Sequence, residues 1–495
     1  LAKVNNVLAS TLFFDASFGL FNKEKIDSKG NIIIGSDGQP EVKTVKVPFV
    51  VLTLFFGAIF FTIFYGFINL RGFKHSIEIV TGKYAKSTDT GDLTHFKALT
   101  TALSATIGLG NIAGVAIAIQ MGGPGAVFWM IVTAFFGMSS KFSECSLSQM
   151  FRQKNPDGSI SGGPMYYLDL GFKRHLGSFA FVGKTLAVIY AIIITLGALG
   201  GGNMFQANQV VEAFNYSFDI PKEYNLFLGI TLAFLVALVI IGGVKRIGQI
   251  TSKIVPSMVF IYVFGCIVVL VVNFSNIPTA IVTIFNSAFS LNSLYGGIVG
   301  VLIIGAQRAS FSNEAGLGSA SIVHATAKTE EPIREGLVSM LEPFIDTIII
   351  CLMTAMVVVV TGVYENPEIV SKGTYNVGVT LTATAFSTVI PWFPYVLTIS
   401  IFLFAYSTMI SWCYYGERGW LYIFNHFGIG EKTLIIYRFI FVFAIIVGAV
   451  NSLNEVIDFT DYLILSLAVP NIIGSLFLAR IVKLRSKEYF RKMNL

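Results

Sequence analysis

Residues 99–114 read Leu99-Thr100-Thr101-Ala102-Leu103-Ser104-Ala105-Thr106-Ile107-Gly108-Leu109-Gly110-Asn111-Ile112-Ala113-Gly114. The run is apolar enough to lie in hydrocarbon, yet two glycines stand at its middle, behind Thr106 and beside Asn111. Packing is one account, because small residues let membrane helices approach closely and Gly110 with Gly114 is a small-xxx-small pair. Unwinding is the other. A Gly-X-Gly-Asn turn at mid-depth frees amides and carbonyls that hydrocarbon cannot satisfy, so an ion or a bound zwitterion must. A half-helix N-terminus suits a carboxylate, and freed carbonyls suit sodium or an ammonium.

The rest of the chain puts this stretch in a membrane. Of 495 residues 54% are hydrophobic and 13% charged, with 45 Phe and 47 Gly; a soluble domain carries about 25% charged residues. Mean hydropathy is +0.73. A soluble domain is excluded, and so is a disordered chain, which would be poor in aromatics. A crossing helix needs about 20 apolar residues. Eleven segments qualify: 47–69, 96–119, 124–148, 181–208, 224–242, 250–272, 294–324, 337–361, 391–415, 436–452 and 460–481.

Eleven crossings place the chain ends on opposite sides, which charge can test. Of the 34 Lys and Arg, eight (Lys3, Lys23, Lys25, Lys29, Lys43, Lys46, Lys222 and Lys372) fall on one side; Lys141 and Arg308 lie inside segments, and the other 24 fall opposite. The expected topology is an outer N-terminus and a cytoplasmic C-terminus in a bacterial inner membrane. The net charge of +6 is scattered over loops and a tail, so nucleic acid is not an expected partner. Cys145, Cys266, Cys351 and Cys413 lie in separate apolar segments and read as buried small hydrophobes. No signal peptide of the conventional pattern is expected.

Segment 294–324 holds a second cluster, Gly296, Gly297, Gly300, then Gly305-Ala306-Gln307-Arg308, then Ser312-Asn313-Glu314-Ala315-Gly316-Leu317-Gly318. Gly305 falls near the middle of the span, so Gly305 and Gln307, with Ile303 and Ile304, are the site candidates there. Arg308 and Glu314 are expensive in lipid and must face protein or water. With Asn313 they read as gating or structural.

The first interrupted helix opens a group of five segments, 96–272, and the second opens another, 294–481. Five is odd, so the second group runs opposite to the first. The expected fold is therefore an all-α polytopic membrane protein with 11 transmembrane helices, an inverted 5+5 helix repeat with two discontinuous helices, and one extra N-terminal helix at 47–69. Residues 1–46 form an outer extension with a small hairpin at 26–47 around Asp37-Gly38, and 482–495 a basic cytoplasmic tail. Residues 376–390, in an outer connection, predict a short helix or re-entrant lid.

Other intramembrane polar residues sort by depth. Asn203 and Gln206, after Gly200-Gly201-Gly202, fit substrate contact or helix–helix hydrogen bonding equally. Ser407 and Thr408 offer hydroxyls to sodium, although capping of the i−4 carbonyl is the plain account of such a pair. Lys141 and Glu144, three apart, fit an intrahelical ion pair. Asp346 fits a hydrogen bond to a neighbouring helix. Trp129, Trp392, Trp412 and Trp420 fit interfacial anchors. Metal, Walker-type and nucleophile-elbow motifs are lacking, so no catalytic residue and no cofactor is expected. The five histidines show no pairing in sequence.

The string Ser104 to Ala116, with Gly122-Gly123-Pro124-Gly125-Ala126-Val127-Phe128-Trp129-Met130, resembles the alanine or glycine:cation symporter family. So do Ser161-Gly162-Gly163-Pro164-Met165-Tyr166-Tyr167, Ser312 to Ala320, Asp346-Thr347, Trp412-Cys413-Tyr414-Tyr415-Gly416-Glu417 and Pro470-Asn471. The resemblance covers about residues 48–482. It implies inward movement of a small neutral amino acid coupled to sodium or protons, on a fold shared with sodium-coupled neurotransmitter transporters. By that likeness the amides of Leu109 and Gly110 hold the substrate carboxylate, with Thr106, Gly108 and Asn111 beside it. Carbonyls of Ser104 and Ile107, with Ser407 and Thr408, form a sodium site; a second sodium at Thr106 and Asn111 follows less directly. Glu417 joins Lys141, Glu144, Arg308, Asn313, Glu314 and Asp346 among gating or structural residues. Ala309 stands where the family often has glycine, and the 46-residue extension is longer than the family suggests.

The expected activity is symport of alanine or glycine with sodium by alternating access, in a monomer or weak oligomer among membrane lipid. D-alanine is a further candidate substrate. The alternatives are a glutamine:sodium symporter, a non-transporting amino-acid sensor, and a channel, for which no filter string appears.

Overall fold

The computed structural model describes residues 3–6, 13, 15–16, 22–24, 42–44, 47–155, 158–240, 243–290, 297–366 and 378–493. Among these, eight helices are long and apolar enough to cross a membrane, or nine if His95–Thr106 and Gly110–Gly122, bent by 53° at their junction, count as one span. Two further sequence segments hold shorter helices, Phe49–Phe64 of 16 residues and Gly297–Asn313 of 17. Large apolar side chains stand exposed on the outer helices, Phe234 at 62%, Phe260 at 71% and Phe439 at 70%. In a membrane these meet acyl chains, while the polar side chains are gathered inside.

Local chemistry sets the helix ends. Thr94 caps the His95–Thr106 helix by accepting from the Lys97 amide. Pro164 opens the Pro164–His175 helix, and Lys173, Arg174 and His175 occupy its last turn, where cations meet the negative helix end. The Phe393–Asn425 helix has 33 residues, about 50 Å at 1.5 Å each, and so reaches beyond a bilayer core.

Among the described residues, three π-helical turns interrupt the bundle: Gly110–Gly114, Gly200–Met204 and Phe344–Cys351. Such turns gather at functional sites because one helical hydrogen-bond register is given up. The second and third were not anticipated from sequence.

Several expectations change. The Gly297–Asn313 helix is continuous through Gly305, so the second interruption falls at 314–320, beyond the middle of segment 294–324. Glu314, Gly316 and Gly318 all have positive φ there, which ends the helix. Lys141 does not pair with Glu144; it reaches Glu342 at 2.9 Å, while Glu144 accepts from Asn471. Trp412 is no interfacial anchor, being 2% exposed and bonded to Glu314. In the N-terminal extension Asn22–Glu24 pairs antiparallel with Val42–Thr44; the Asp37-Gly38 turn and Ile32 to Ile34 lie outside the described residues. So does Gly296. The C-terminal Ala468–Met493 helix runs on through most of the 482–495 tail. A helix at Gly378–Ser387 occupies the 376–390 connection.

Candidate functional site at the helix break

The first half-helix ends at Thr106, and the chain turns at Ile107 to Leu109 before winding again. The Leu109 amide donates to Gln206 Oε1 at 3.1 Å, and the Gly108 amide to Asn111 Oδ1 at 2.9 Å. Neither the Ile107 carbonyl nor the Gly110 amide has a hydrogen-bond partner among the described residues. A buried acceptor and a buried donor are thus left over at mid-bundle, which is costly without a ligand.

The glycines fit this turn for steric reasons. A Cβ on Gly108 would stand 2.6 Å from Thr408 Oγ1, and one on Gly110 3.3 Å from Ser312 Cα. The break therefore lies directly against the Phe393–Asn425 and Gly297–Asn313 helices.

On one side, oxygens collect. Thr408 Oγ1 donates to the Ser104 carbonyl at 2.9 Å, Ser104 Oγ to the Ser407 carbonyl at 2.8 Å, and Ser411 Oγ to Ser104 Oγ at 3.0 Å. All of these residues are buried. Carbonyl and hydroxyl oxygens without a carboxylate are a donor set for a monovalent hard cation. The Ser407 hydroxyl instead caps Phe404 in its own helix at 3.0 Å, so Ser407 enters through its carbonyl. Ser411, one turn beyond Ser407, was not singled out from sequence. Thr106 Oγ1 leans on the carbonyls of Ala102 and Leu103 at 3.4 Å each.

On the other side lies a cavity of about 10 Å³, lined by Ala105, Thr106, Gly110, Gly201, Gln206, Phe311, Glu314, Trp412 and Ile464. That is room for one water, so an amino acid enters only when the walls part. Phe311, Trp412 and Ile464 are the apolar part of this wall. Trp412 is held by Glu314 Oε1 at 3.0 Å, and Ser319 donates to the other Glu314 oxygen. Both carboxylate oxygens are thereby engaged. These lining residues are scattered over five segments, and only Gln206, Gly110 and Thr106 among them were substrate candidates in the sequence.

Asn111 ties the break to the Phe344–Cys351 π-turn. Its Nδ2 donates to Asp346 Oδ1 at 2.6 Å, and the other Asp346 oxygen accepts from Ser312 at 2.8 Å and Thr347 at 2.7 Å. Asn313 Nδ2 donates to Thr347 Oγ1 at 3.0 Å. On the remaining face, Thr382 of the Gly378–Ser387 helix donates to the Ile112 carbonyl at 3.2 Å. This short helix covers the second half-helix.

The other sequence candidates sit elsewhere. Gly305 packs on the Gly125–Phe151 helix, where a Cβ would meet the Ala126 carbonyl at 2.6 Å, and Ile304 lies against Gly122. Gln307 donates to Asp461 at 2.9 Å, and Arg308 pairs with the same carboxylate. None of these, nor Ile303, lines the cavity. Asn203 donates to the Phe441 carbonyl at 2.6 Å, a helix–helix bond. Glu417 pairs with Arg438 at 2.6 Å. A larger groove of about 790 Å³ beside Leu70, Phe135 and Phe344 is lined by hydrocarbon and lies apart from the break.

Comparison with known proteins bears on this geometry. The sequence model of the Sodium:alanine symporter family matches residues 39–495. The chain is 41% identical over 443 residues to the sodium/alanine symporter AgcS of Methanococcus maripaludis, covering 89% of this chain and 94% of that protein. It is 32% identical over 445 residues to the probable sodium/glutamine symporter GlnT of Bacillus subtilis, covering 90% and 88%. The amino-acid carrier protein AlsT of Bacillus subtilis is 34% identical over 436 residues, covering 88% of each. Among solved structures, MhsT in complex with L-phenylalanine superposes with a TM-score of 0.55 at 12% identity, over 80% of this chain and 99% of that one, which shows a shared fold.

Proposed function

The chain belongs to the sodium:alanine symporter family, and from that premise we propose that it imports alanine or glycine with sodium through the break at Thr106 to Asn111. It is a multi-pass membrane transporter of amino acids. The finer reading, with 11 crossings, two inverted groups of five and a cytoplasmic C-terminus, rests on the charge distribution and the odd segment count.

The observation that carries the substrate site is the unpartnered Gly110 amide beside a Leu109 amide held by Gln206. Gln206 Oε1 stands where a carboxylate oxygen would stand. An incoming carboxylate displaces it and takes both amides at a helix N-terminus, which favours negative charge. The side chain of the amino acid then faces Phe311, Trp412 and Ile464. These three offer no free hydrogen-bonding group, since Trp412 Nε1 is held by Glu314, which suits a methyl or hydrogen better than a glutamine amide. Glu314 positions Trp412 and does not itself receive the substrate.

Sodium is cargo, and its site is the oxygen cluster of Ser104, Ile107, Ser407 and Thr408, with Ser411 behind. A cation there joins the end of the first half-helix to the Phe393–Asn425 helix and orders the break before substrate arrives. Asp346 fixes Asn111 and hence the start of the second half-helix. A negative interior contributes about 2.3 kcal/mol per charge per 100 mV to inward sodium movement.

The test is uptake of labelled alanine, glycine and glutamine into proteoliposomes under sodium, potassium or proton gradients. Accumulation of alanine or glycine above equilibrium with sodium alone is the expected result. Accumulation of glutamine alone would move the substrate to the GlnT-like reading, and binding without uptake would make the protein a sensor.

A further inference from the structure

The transport site leaves unused a chain of buried ionisable groups from four separate stretches of sequence. His95, the first residue of the first half-helix, meets Glu335 Oε2 through Nδ1. The other Glu335 oxygen lies 2.6 Å from His324 Nδ1, and His324 Nε2 meets Glu342 Oε1. Glu342 Oε2 is 2.9 Å from Lys141 Nζ. His95 is 5% exposed and the other four are 0%.

These contacts fix a proton count. An ionised carboxylate only accepts, and a neutral imidazole donates through one nitrogen alone. His324 has a carboxylate oxygen at both nitrogens, so its two bonds need one proton more than a neutral ring between two ionised carboxylates supplies. Whether that proton sits on the ring or on Glu335 or Glu342, the count is the same. With it, a charged Lys141 and a neutral His95 donating through Nδ1 bring the cluster to zero net charge. Without it, an uncompensated negative charge stays buried, which is costly. His95 Nε2 has no partner among the described residues, which fits a neutral ring.

Among the described residues, no surrounding group forms a further ion pair with Glu335 or Glu342. On the Gly125–Phe151 helix, Glu144 is held by Asn471 and Cys145 is a buried thiol; just beyond it Arg152 donates to the carbonyls of Ala325, Ala327 and Thr329 and remains a cation acting on Glu330 and Glu335 without touching either. Arg334 bonds the Tyr84 carbonyl. Glu314 and Asp346 are engaged as described, and Tyr415 on the Phe393–Asn425 helix is a buried neutral phenol. At the adjoining loops, Glu330 is held below the usual carboxylate range by the Thr90 hydroxyl.

We propose that His324, clasped by Glu335 and Glu342, is a proton-binding site that locks this face of the transporter, and that opening the face releases the proton to water, to be retaken on closing. The proposal rests on the alternating-access reading above, with this basic face cytoplasmic. The cluster joins the first half-helix to the 332–342 segment and the Gly125–Phe151 helix. Moving the half-helix away admits water, and a solvated histidine, with a pKa of about 6.5, gives up its proton at neutral pH. The closed face therefore holds one more proton than the open one, and acid favours closure.

Two readouts test this on the full-length protein in lipid. Nitrogen-15 spectra of histidine-labelled protein at pH 7.5 are expected to show a doubly protonated ring that disappears in His324→Gln. In Glu335→Gln the amide accepts from His95 and donates to His324, so all contacts are met without the extra proton, and the signal becomes that of a neutral ring. Sodium-driven uptake, with equal pH on both sides, is expected to rise with pH by up to about tenfold per unit in the wild type and to be flat in Glu335→Gln. A neutral His324 in the wild type, with Glu335 and Glu342 both ionised in carbon-13 spectra, overturns the proton site, whatever the transport result. A doubly protonated ring with pH-independent uptake overturns the lock. Absence of sodium-driven uptake counts against the transport reading alone, and the spectra still decide the proton.

Discussion

The two interrupted helices are built from the same residue types and finish differently. At Thr106 to Asn111 the Ile107 carbonyl and the Gly110 amide are left over, the Leu109 amide is borrowed by a side chain, and a cavity opens alongside. At Glu314 to Gly318 side chains take up several of the freed groups: Asn313 Oδ1 accepts from the Ala315 amide, Asn471 Nδ2 donates to the Gly316 carbonyl at 2.7 Å, and Tyr190 donates to the Leu317 carbonyl at 2.9 Å, while the Gly316 amide has no partner among the described residues and does not line that cavity. Glycine and asparagine interrupt a membrane helix in both places. What separates them is that distant side chains hold the freed carbonyls of the second, whereas freed groups of the first face a cavity where a ligand can meet them.

The largest effect is expected at Gly108→Ala. Its Cβ would meet Thr408 Oγ1 at 2.6 Å and Gln206 Oε1 at 3.1 Å, so sodium-driven alanine uptake should fall at least about 100-fold, as a misplacement of about 1 Å at a site does. Uptake near the wild-type rate would mean that the break is no tighter than the second one. Thr408→Ala comes next: loss of a hydroxyl that donates to the Ser104 carbonyl should raise the sodium concentration for half-maximal uptake about tenfold, the scale of one hydrogen bond to a charged group. An unchanged sodium dependence would remove Thr408 from the ion site.

Glu314→Gln sharpens the comparison from the other side. Gln keeps an acceptor for Ser319 or Trp412 but not both in the same geometry. A several-fold rise in KM for alanine, with sodium dependence intact, is expected from kinetic uptake curves. Gly305→Ala should affect transport least. Its Cβ presses on the Ala126 carbonyl, and overpacking of this kind costs about 1–3 kcal/mol, so thermal stability should drop while KM in the folded protein stays put. A raised KM would return Gly305 to the site.

Much of this was legible before the structure. The string 104–111 announces its own break, because glycine spacing and a mid-span asparagine are local features. Thr408, 304 positions beyond Ser104, came through the family likeness rather than through spacing. What stayed hidden depends on contact between distant segments. Gly305 carries the same local signature as Gly108, and only the neighbouring Ala126 carbonyl shows that it serves packing. Trp412 sits near a segment end like an interfacial anchor, yet its partner Glu314 draws it inside. His95 and His324 are 229 positions apart and meet through Glu335, which no period or motif marks.

The central claim is that sodium orders the break at which the amino acid binds, and the affinity for L-alanine with and without sodium tests it most directly in purified protein. Binding in the wild type should tighten at least about tenfold with sodium, a coupling of about 1.4 kcal/mol, and Thr408→Ala should lose most of that gain. Equal alanine affinity with and without sodium would contradict it.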